Sequence, residues 1–302
     1  MPKSYTVVDD YHDSRLDRWF TNNVISLPHS LIEKIIRQNK IKVNKKKTKS
    51  SYRVQSGDLI EVYDFLKLKP TNKEKKIKYK PKKSEVSKYD DYVIEDNENF
   101  IIINKPPGVA VQGGTKSFKN IIDAIKNTKY FMNSNPYTVH RIDKETSGLL
   151  IIAKNRKFAQ LFTSLFRIRK IHKTYVALTY GKISKSSDTL KDDLVSYDNG
   201  KKIIQKAISH IKVLKSSSDY SYVELNPITG RKHQLRKQLY NIGNPIVGDI
   251  KYNIIKDKNK NEKKLMLHAY KIKFMINNKK FNFMAELPDY FDNYLNKKRL
   301  II

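Results

Sequence analysis

Residues 140–148 are an unusually polar stretch that reads His140-Arg141-Ile142-Asp143-Lys144-Glu145-Thr146-Ser147-Gly148, and it runs into the apolar segment Leu149-Leu150-Ile151-Ile152-Ala153. Polar residues packed before a buried strand predict a loop that presents its side chains at the edge of a sheet. Asp143 could be a reactive carboxylate there, or it could cap a turn by accepting hydrogen bonds from the amides of Thr146 or Ser147. These residues alone leave both possibilities open.

Further motifs lie on both sides of this stretch. In chain order they are Ile103-Asn104-Lys105-Pro106-Pro107-Gly108, Val111-Gln112-Gly113-Gly114, Lys173-Thr174-Tyr175-Val176-Ala177 with Gly181, Thr229-Gly230-Arg231-Lys232-His233-Gln234-Leu235-Arg236, Asn244-Pro245-Ile246-Val247-Gly248-Asp249 and Leu267-His268-Ala269. Together with residues 140–150 they resemble, in the same order, the motifs of the RluA-type pseudouridine synthases over about residues 92–290. Ile142 stands where that family usually has Leu, and Gln112 and Lys237-Gln238 stand where commoner forms have His.

The resemblance implies an enzyme that isomerises uridine in RNA, and it implies roles for three residues. Asp143 matches the catalytic carboxylate and Tyr175 matches the active-site tyrosine, whose ring can stack on an extruded uracil. Arg236 matches the arginine that keeps the carboxylate ionised by pairing with it, with Arg231 as the competitor for that role. Whether the carboxylate attacks the base or the sugar, or removes the C2′ proton, stays open.

Contacts with RNA are predicted for a second group of residues. Arg141 is a candidate to fill the space that a flipped nucleotide leaves, and His140 is expected to shape the loop rather than to catalyse. The whole predicted RNA-binding set is Arg141, Arg231, His140, Lys105, Lys45, Lys46 and Lys47.

The implied reaction neither gains nor loses atoms or electrons, so it requires no redox cofactor, nucleotide or metal. The sequence has no P-loop or HExxH motif. It also has no cysteine, which excludes disulfides, thiolate nucleophiles and Cys-ligated zinc. We expect no cofactor and no metal site, and we expect His233 and His268 to be hydrogen-bonded structural residues rather than ligands.

The charge of the chain predicts a polyanionic partner. Among 302 residues, 61 are Lys or Arg and 30 are Asp or Glu, which gives a formal net charge of +31. Nucleic acid is the first choice for such an excess, and an anionic membrane surface is the second. No stretch approaches the roughly 20 apolar residues of a spanning helix, and residues 1–10 lack a secretory pattern. A cytoplasmic location without membrane contact is therefore expected.

The first 66 residues are predicted to form a small α/β module. Helices are expected at residues 13–23 and from a capping box at Ser30 and Glu33, and short strands at 41–44, 52–54 and 59–63. A lysine run at residues 45–49 is expected at a turn. Over about residues 13–66 this module resembles an S4 RNA-binding domain, and its alternative is a basic surface without a particular ligand.

Two further regions follow. Residues 67–90 hold ten lysines and few apolar residues, which predicts a linker. From residue 91 to 302 the pattern predicts an α+β catalytic domain with a mixed, mostly antiparallel sheet, in agreement with the pseudouridine synthase fold that the resemblance implies. The expected strands are 100–103, 149–153, 175–178 and 222–225, and the expected helices are 155–169 and 233–241.

Several functions are consistent with the sequence. An S4 module joined to the first catalytic motif resembles the branch of the family that acts on the large ribosomal subunit, so 23S ribosomal RNA, free or in a large-subunit assembly intermediate, is the predicted partner. A synthase for tRNA and a non-catalytic RNA-binding or ribosome-assembly protein are the alternatives. DNA binding is a distant one, because no helix-turn-helix or zinc finger pattern is found. The presence of Asp143, Tyr175 and Arg236 favours an enzyme.

Overall fold

The computed structural model describes residues 2–64, 89–113, 119–198, 201–253 and 264–301. The chain divides into two compact units, Met1–Lys78 and Tyr79–Ile302. The predicted linker lies almost wholly outside the described residues; of its last two residues, Tyr89 packs into a core of the second unit. No helix in the described ranges is long and apolar enough to cross a membrane.

The first unit combines two helices with short antiparallel strands. Its elements are β1 (Lys3–Thr6), β2 (Ser14–Arg15), α1 (Leu16–Asn23), α2 (His29–Arg37), β3 (Ile41–Val43), β4 (Arg53–Val54) and β5 (Leu59–Val62). One sheet has the order β1-β5-β3, and β2 pairs with β4. Trp19 and Phe20 of α1 and Ile32 and Ile36 of α2 are buried in one core, as their helical spacing predicted.

The start of α2 differs from the prediction. The helix begins at His29 after Pro28, and no side chain caps it. Ser30 therefore lies inside the first turn, where its hydroxyl cannot take the capping position, so the predicted capping box is wrong. Glu33 instead accepts a hydrogen bond from the hydroxyl of Ser50 (3.4 Å).

The lysine run follows β3 at a turn, as predicted. Asn44 and Lys45 have φ angles of 50° and 65°, which let the chain reverse there. Lys45, Lys46 and Lys47 are all exposed. Their ammonium groups are therefore available to solvent and to a partner.

The described part of the second unit is built on a ten-stranded sheet. Its strands are β6 (Val93–Asp96), β7 (Phe100–Lys105), β8 (Tyr137–Thr138), β9 (Ser147–Ala153), β10 (His172–Tyr180), β11 (Ser187–Asp198), β12 (Lys201–Ser216), β13 (Tyr220–Pro227), β14 (Leu267–Ile276) and β15 (Lys279–Met284). The order is β11-β12-β13-β10-β14-β9-β7-β6, with β15 beside β14 and β8 beside β9. Of the described strand pairs only β9 and β14 run parallel, so the predicted mixed, mostly antiparallel sheet is confirmed.

Helices cover both faces of this sheet. They are α3 (Ile121–Ile125), α4 (Arg156–Arg167), α5 (Gln234–Asn241) and α6 (Asp289–Lys297). Leu150 and Ile152 of β9 belong to the core that includes α3, whereas Ile151 belongs to the core that includes α4. Alternate residues of β9 therefore face opposite layers, which explains why a strand buried on both sides has a continuous apolar sequence. Asn155 caps α4 by accepting a hydrogen bond from the Phe158 amide (2.9 Å).

A glycine lets β9 lie directly against β14. Gly148 has a φ of 106°, and a Cβ atom there would lie 2.6 Å from the backbone nitrogen of Ala269 and closer still to its carbonyl oxygen. A larger residue would have to push the two strands apart. This contact fixes the end of the polar loop that contains Asp143.

We expect Gly148→Ala to destabilise the second unit by about 3 kcal/mol or more, because backbone strain and overlap add up. The matched control is Gly243→Ala, which has a similar positive φ of 82° but open space around it, so that it should cost about 1 kcal/mol. Equilibrium unfolding in urea measures both. Equal costs for the two variants would show that the close approach to β14 is unimportant.

Candidate active site

A cavity of about 990 Å³ opens beside the polar loop. The loop residues 139–144, the first residues of β10 and the segment 226–236 form its walls. Among the described lining residues Asp143 is the only carboxylate, and the basic ones are Arg141, Lys144, Arg167, Arg169, Lys173, Arg231, Lys232 and Arg236. The cavity is therefore suited to a polyanion that brings one reacting group to Asp143.

Asp143 lies between a guanidinium and an imidazole. Its Oδ2 is 3.5 Å from Nη1 of Arg236, and its Oδ1 is 3.8 Å from Nε2 of His233. The side chain of Asp143 remains 28% exposed, so the carboxylate can still be reached from the cavity. Arg231 directs its Nε to the carbonyl of Lys206 (3.2 Å). Arg236 is thus the arginine that contacts the carboxylate.

A second carboxylate, which the sequence analysis did not single out for a role, holds Arg236 in place. Asp249 accepts two hydrogen bonds from the guanidinium, 2.6 Å from Nε and 2.7 Å from Nη2. Its side chain is fully buried and also accepts hydrogen bonds from the backbone amides of Lys251 and Tyr252, both at 2.9 Å. Because Nε and Nη2 are taken by Asp249, Nη1 is left to face Asp143.

The charge of Arg236 is secured by these neighbours. Burial works against the guanidinium, but the hydrogen bonds to Asp249 and the attraction of Asp249 and Asp143 outweigh it, and they raise the pKa of Arg236. An arginine held in this way stays charged throughout the physiological pH range. It therefore presents a fixed positive charge to the Asp143 carboxylate, 3.5 Å away.

The turn before α5 is fixed by a buried glutamine. Gln234 accepts hydrogen bonds from the hydroxyl of Thr229 (2.7 Å) and the amide of Arg231 (3.0 Å). Its amide nitrogen donates to the carbonyl of Ile208 (3.1 Å) and the hydroxyl of Ser209 (2.9 Å) on β12. This network ties the first turn of α5, and hence Arg236, to the sheet.

His233 precedes that turn in a left-handed conformation, with φ 55° and ψ 31°. Such a conformation is costly for a residue other than glycine and requires support from its surroundings. The ring nitrogen Nδ1 lies 3.0 Å from the hydroxyl of Tyr252, and Nε2 faces Asp143. His233 was predicted to be a hydrogen-bonded structural residue, and its contact with the carboxylate brings it into the site as well.

Tyr175 lines the cavity from β10. It is paired with Ala269 of β14 across a bulge and with Leu225 of β13. Burial raises the pKa of its phenol, and the negative charge of Asp143 raises it further. The hydroxyl is therefore protonated at neutral pH.

His140 is held by the loop itself. Its Nε2 accepts a hydrogen bond from the amide of Ile151 (2.8 Å), and its ring lies 4.6 Å from that of Phe166. Burial, together with the charge of Lys173, lowers the pKa of His140 to about 3. The neutral His140 ring, hydrogen-bonded to the backbone through Nε2, shapes the loop. Only its Nδ1 is left to contact RNA. Arg141, next to it, is exposed in the cavity.

Lys105 does not lie where the sequence analysis expected it. It is fully buried, and its Nζ donates to the carbonyls of Pro106 (2.7 Å), Val109 (3.0 Å) and Lys144 (3.1 Å). Burial lowers its pKa to about 7 against the attraction of Glu145 and Asp143. The prediction that Lys105 contacts RNA is therefore wrong. The ammonium instead ties the end of β7 to the residue that follows Asp143.

His268 matches its predicted structural role. It is fully buried, with Nδ1 2.9 Å from the hydroxyl of Ser147 and Nε2 3.2 Å from the carbonyl of Ala285. Burial lowers its pKa to about 4, which keeps it neutral at physiological pH.

Comparisons with known proteins give a consistent result. The model of the RNA pseudouridylate synthase family matches residues 99–241, and that of the S4 domain matches residues 26–60. Ribosomal large subunit pseudouridine synthase C of Rickettsia felis is 37% identical over 295 residues, which cover 92% of this chain and 94% of that protein. Its namesake from Buchnera aphidicola subsp. Baizongia pistaciae is 32% identical, covering 93% of this chain and 92% of that protein.

A solved structure is similar as well. Human RNA pseudouridylate synthase domain containing 4 superposes with a TM-score of 0.63 at 25% identity, covering 72% of this chain and 96% of that one.

We expect Lys105→Met to leave the salt dependence of RNA binding unchanged, because a buried ammonium neutralises no phosphate. The comparison variant is Arg141→Met, which removes an exposed charge from the cavity and should reduce the slope of log K against log salt by about one. Binding titrations between low and moderate salt measure both slopes. A lower slope for Lys105→Met would show that Lys105 does contact a phosphate, and it would contradict the conclusion drawn from its burial.

Proposed function

The chain belongs to the RNA pseudouridylate synthase family, and we propose that it isomerises uridines of 23S ribosomal RNA with Asp143 as its catalytic carboxylate. As a member of the family it is an RNA pseudouridine synthase. What we propose beyond this is the target RNA and the role of each residue in the site.

One observation carries the assignment of Asp143. The carboxylate is the single acidic group among the described residues that line a strongly basic cavity, and a buried, fixed guanidinium lies 3.5 Å from it. A basic wall favours the phosphates of RNA, and the charged guanidinium attracts a carboxylate that reacts as an anion.

The chemistry requires little beyond this arrangement. The N1–C1′ bond of uridine breaks, the base turns, and a C5–C1′ bond forms; a proton leaves C5 and N1 receives one. An ionised Asp143 can serve by attacking the base, by attacking the sugar, or by removing the C2′ proton, and each route begins with a negative oxygen. Tyr175 would stack on the extruded uracil. Because its phenol is neutral, it could take up the C5 proton only while giving up its own hydroxyl proton to another acceptor.

The choice of RNA draws on the relatives and on the first unit. Relatives that are 37% and 32% identical are named as synthases of the large ribosomal subunit, and the S4 match adds an RNA-binding module. Extrusion of a base costs least where it is already unpaired, so we place the target uridines in loops, on free 23S rRNA or on an assembly intermediate. A cytoplasmic location belongs to the same proposal.

We expect Asp143→Asn to abolish turnover while RNA affinity stays within a few fold, since phosphate contacts supply most of the binding free energy. Pseudouridine formation on rRNA transcripts and equilibrium binding to the same transcripts are measured side by side. The control is Asp188→Asn, which alters an exposed carboxylate paired with Lys185 outside the cavity and should leave both quantities unchanged. Substantial turnover by Asp143→Asn would exclude the carboxylate from the reaction.

The RNA target is tested by mapping pseudouridine in cells that lack the protein. We expect sites in 23S rRNA to lose the modification and to regain it with the wild-type gene but not with Asp143→Asn. Sites lost from tRNA instead would make the protein a tRNA synthase. If no site loses the modification, the assignment of ribosomal RNA as the target is refuted.

A further inference from the structure

Lys173 is one of the basic residues that line the cavity, and its ammonium contacts neither Asp143 nor Arg236. It lies near the start of β10, two residues before Tyr175, and lines the same cavity. Its Nζ lies 4.0 Å from where a Cβ atom on Gly230 would be. The ammonium thus lies against the turn that connects β13 with α5, beside the residues that hold Arg236.

The ammonium of Lys173 lacks a counter-charge. No described residue offers it a hydrogen bond or an ion pair, and burial lowers its pKa without any carboxylate acting in the opposite direction. Lys173 is only half-buried, but two other lysines that are withdrawn from solvent are compensated: the buried Lys105 has three carbonyl oxygens, and the half-buried Lys154 lies 2.6 Å from Asp96. A buried cation is costly unless an anion or several acceptors accompany it.

A molecule that fills the cavity can supply the missing anion, because Lys173 lines that cavity. A nucleotide carries one formal charge, on its phosphate, whereas the carbonyl oxygens of uracil are neutral and would leave the ammonium uncompensated. Because Lys173 and Tyr175 line one cavity from the same strand, a base beside Tyr175 would bring the adjoining backbone close to Lys173.

We propose that the ammonium of Lys173 binds a phosphate that flanks the target uridine while the base lies between Asp143 and Tyr175. This inference rests on the proposed function and adds to it a specific contact with one backbone phosphate. Lys173 thereby positions the nucleotide and leaves the carboxylate chemistry to Asp143.

The test pairs a protein change with a matched change in the RNA. Wild type and Lys173→Met are assayed on an rRNA fragment that contains a mapped target uridine, and on two versions in which an uncharged methylphosphonate replaces the phosphate on its 5′ or its 3′ side. Lys212→Met, which alters an exposed lysine of β12 outside the cavity, is the control. kcat/KM is measured for every combination, and thermal unfolding is recorded for every variant.

We expect one of the two methylphosphonates to lower kcat/KM of the wild type and of Lys212→Met by about ten- to a hundredfold, the usual contribution of a charge-assisted hydrogen bond. Lys173→Met should be slower on the natural RNA by a similar factor and should lose nothing further on that substituted RNA. Its Tm should equal or exceed that of the wild type, because a half-buried charge without a counter-charge has been removed.

Two results would overturn the inference. One is a wild type that is insensitive to both methylphosphonates, and the other is a Lys173→Met variant that suffers the full additional loss. A wild type that is inactive on the natural fragment would instead count against the proposed function, so the two failures are distinguishable.

Discussion

The site depends on one guanidinium shared between two carboxylates. Arg236 gives Nε and Nη2 to Asp249 and Nη1 to Asp143. The pair with Asp249 is buried, so neither partner can turn away without leaving an unpaired charge in the protein interior. Gly248, which precedes Asp249, allows close approach to the backbone of Lys264, where a Cβ atom would overlap the carbonyl. The guanidinium is therefore aimed at Asp143 before any RNA is present, which is the preorganisation that electrostatic catalysis requires.

The order of strands in the sheet brings distant parts of the sequence to this guanidinium. Asp143 lies in the loop before β9, Tyr175 lies on β10, and β14 separates these two strands. Arg236 enters from α5, in the segment that follows β13, the other neighbour of β10. Gly148 permits β9 to contact β14 closely, so the end of the loop has little freedom. Strand pairing thus assembles the cavity.

Much of this could be predicted from the sequence, and the failures have physical causes. Strands buried on both faces, such as β7 and β9, have continuous apolar runs, and the family resemblance was confirmed by the comparisons. Asp249 was not given a role, because one acidic residue after a glycine carries no periodic signal and its partner lies 13 residues away. Lys105 was predicted to contact RNA because lysines are usually exposed, but three carbonyl oxygens accept its hydrogen bonds in the interior. The long β11–β12 hairpin was missed too, because polar residues interrupt its apolar pattern. The catalytic roles of Asp143, Tyr175 and Arg236 stay predictions.

The single-turnover rate of Arg236→Lys tests the shared guanidinium most directly. A lysine keeps the positive charge, but its one nitrogen cannot hold Asp249 through two bonds and face Asp143 at the same time. If the account is right, pseudouridine formation at saturating enzyme slows by about a hundredfold or more while RNA affinity stays within a few fold. A variant that isomerises uridine at the wild-type rate would contradict it, because a positive charge alone would then suffice.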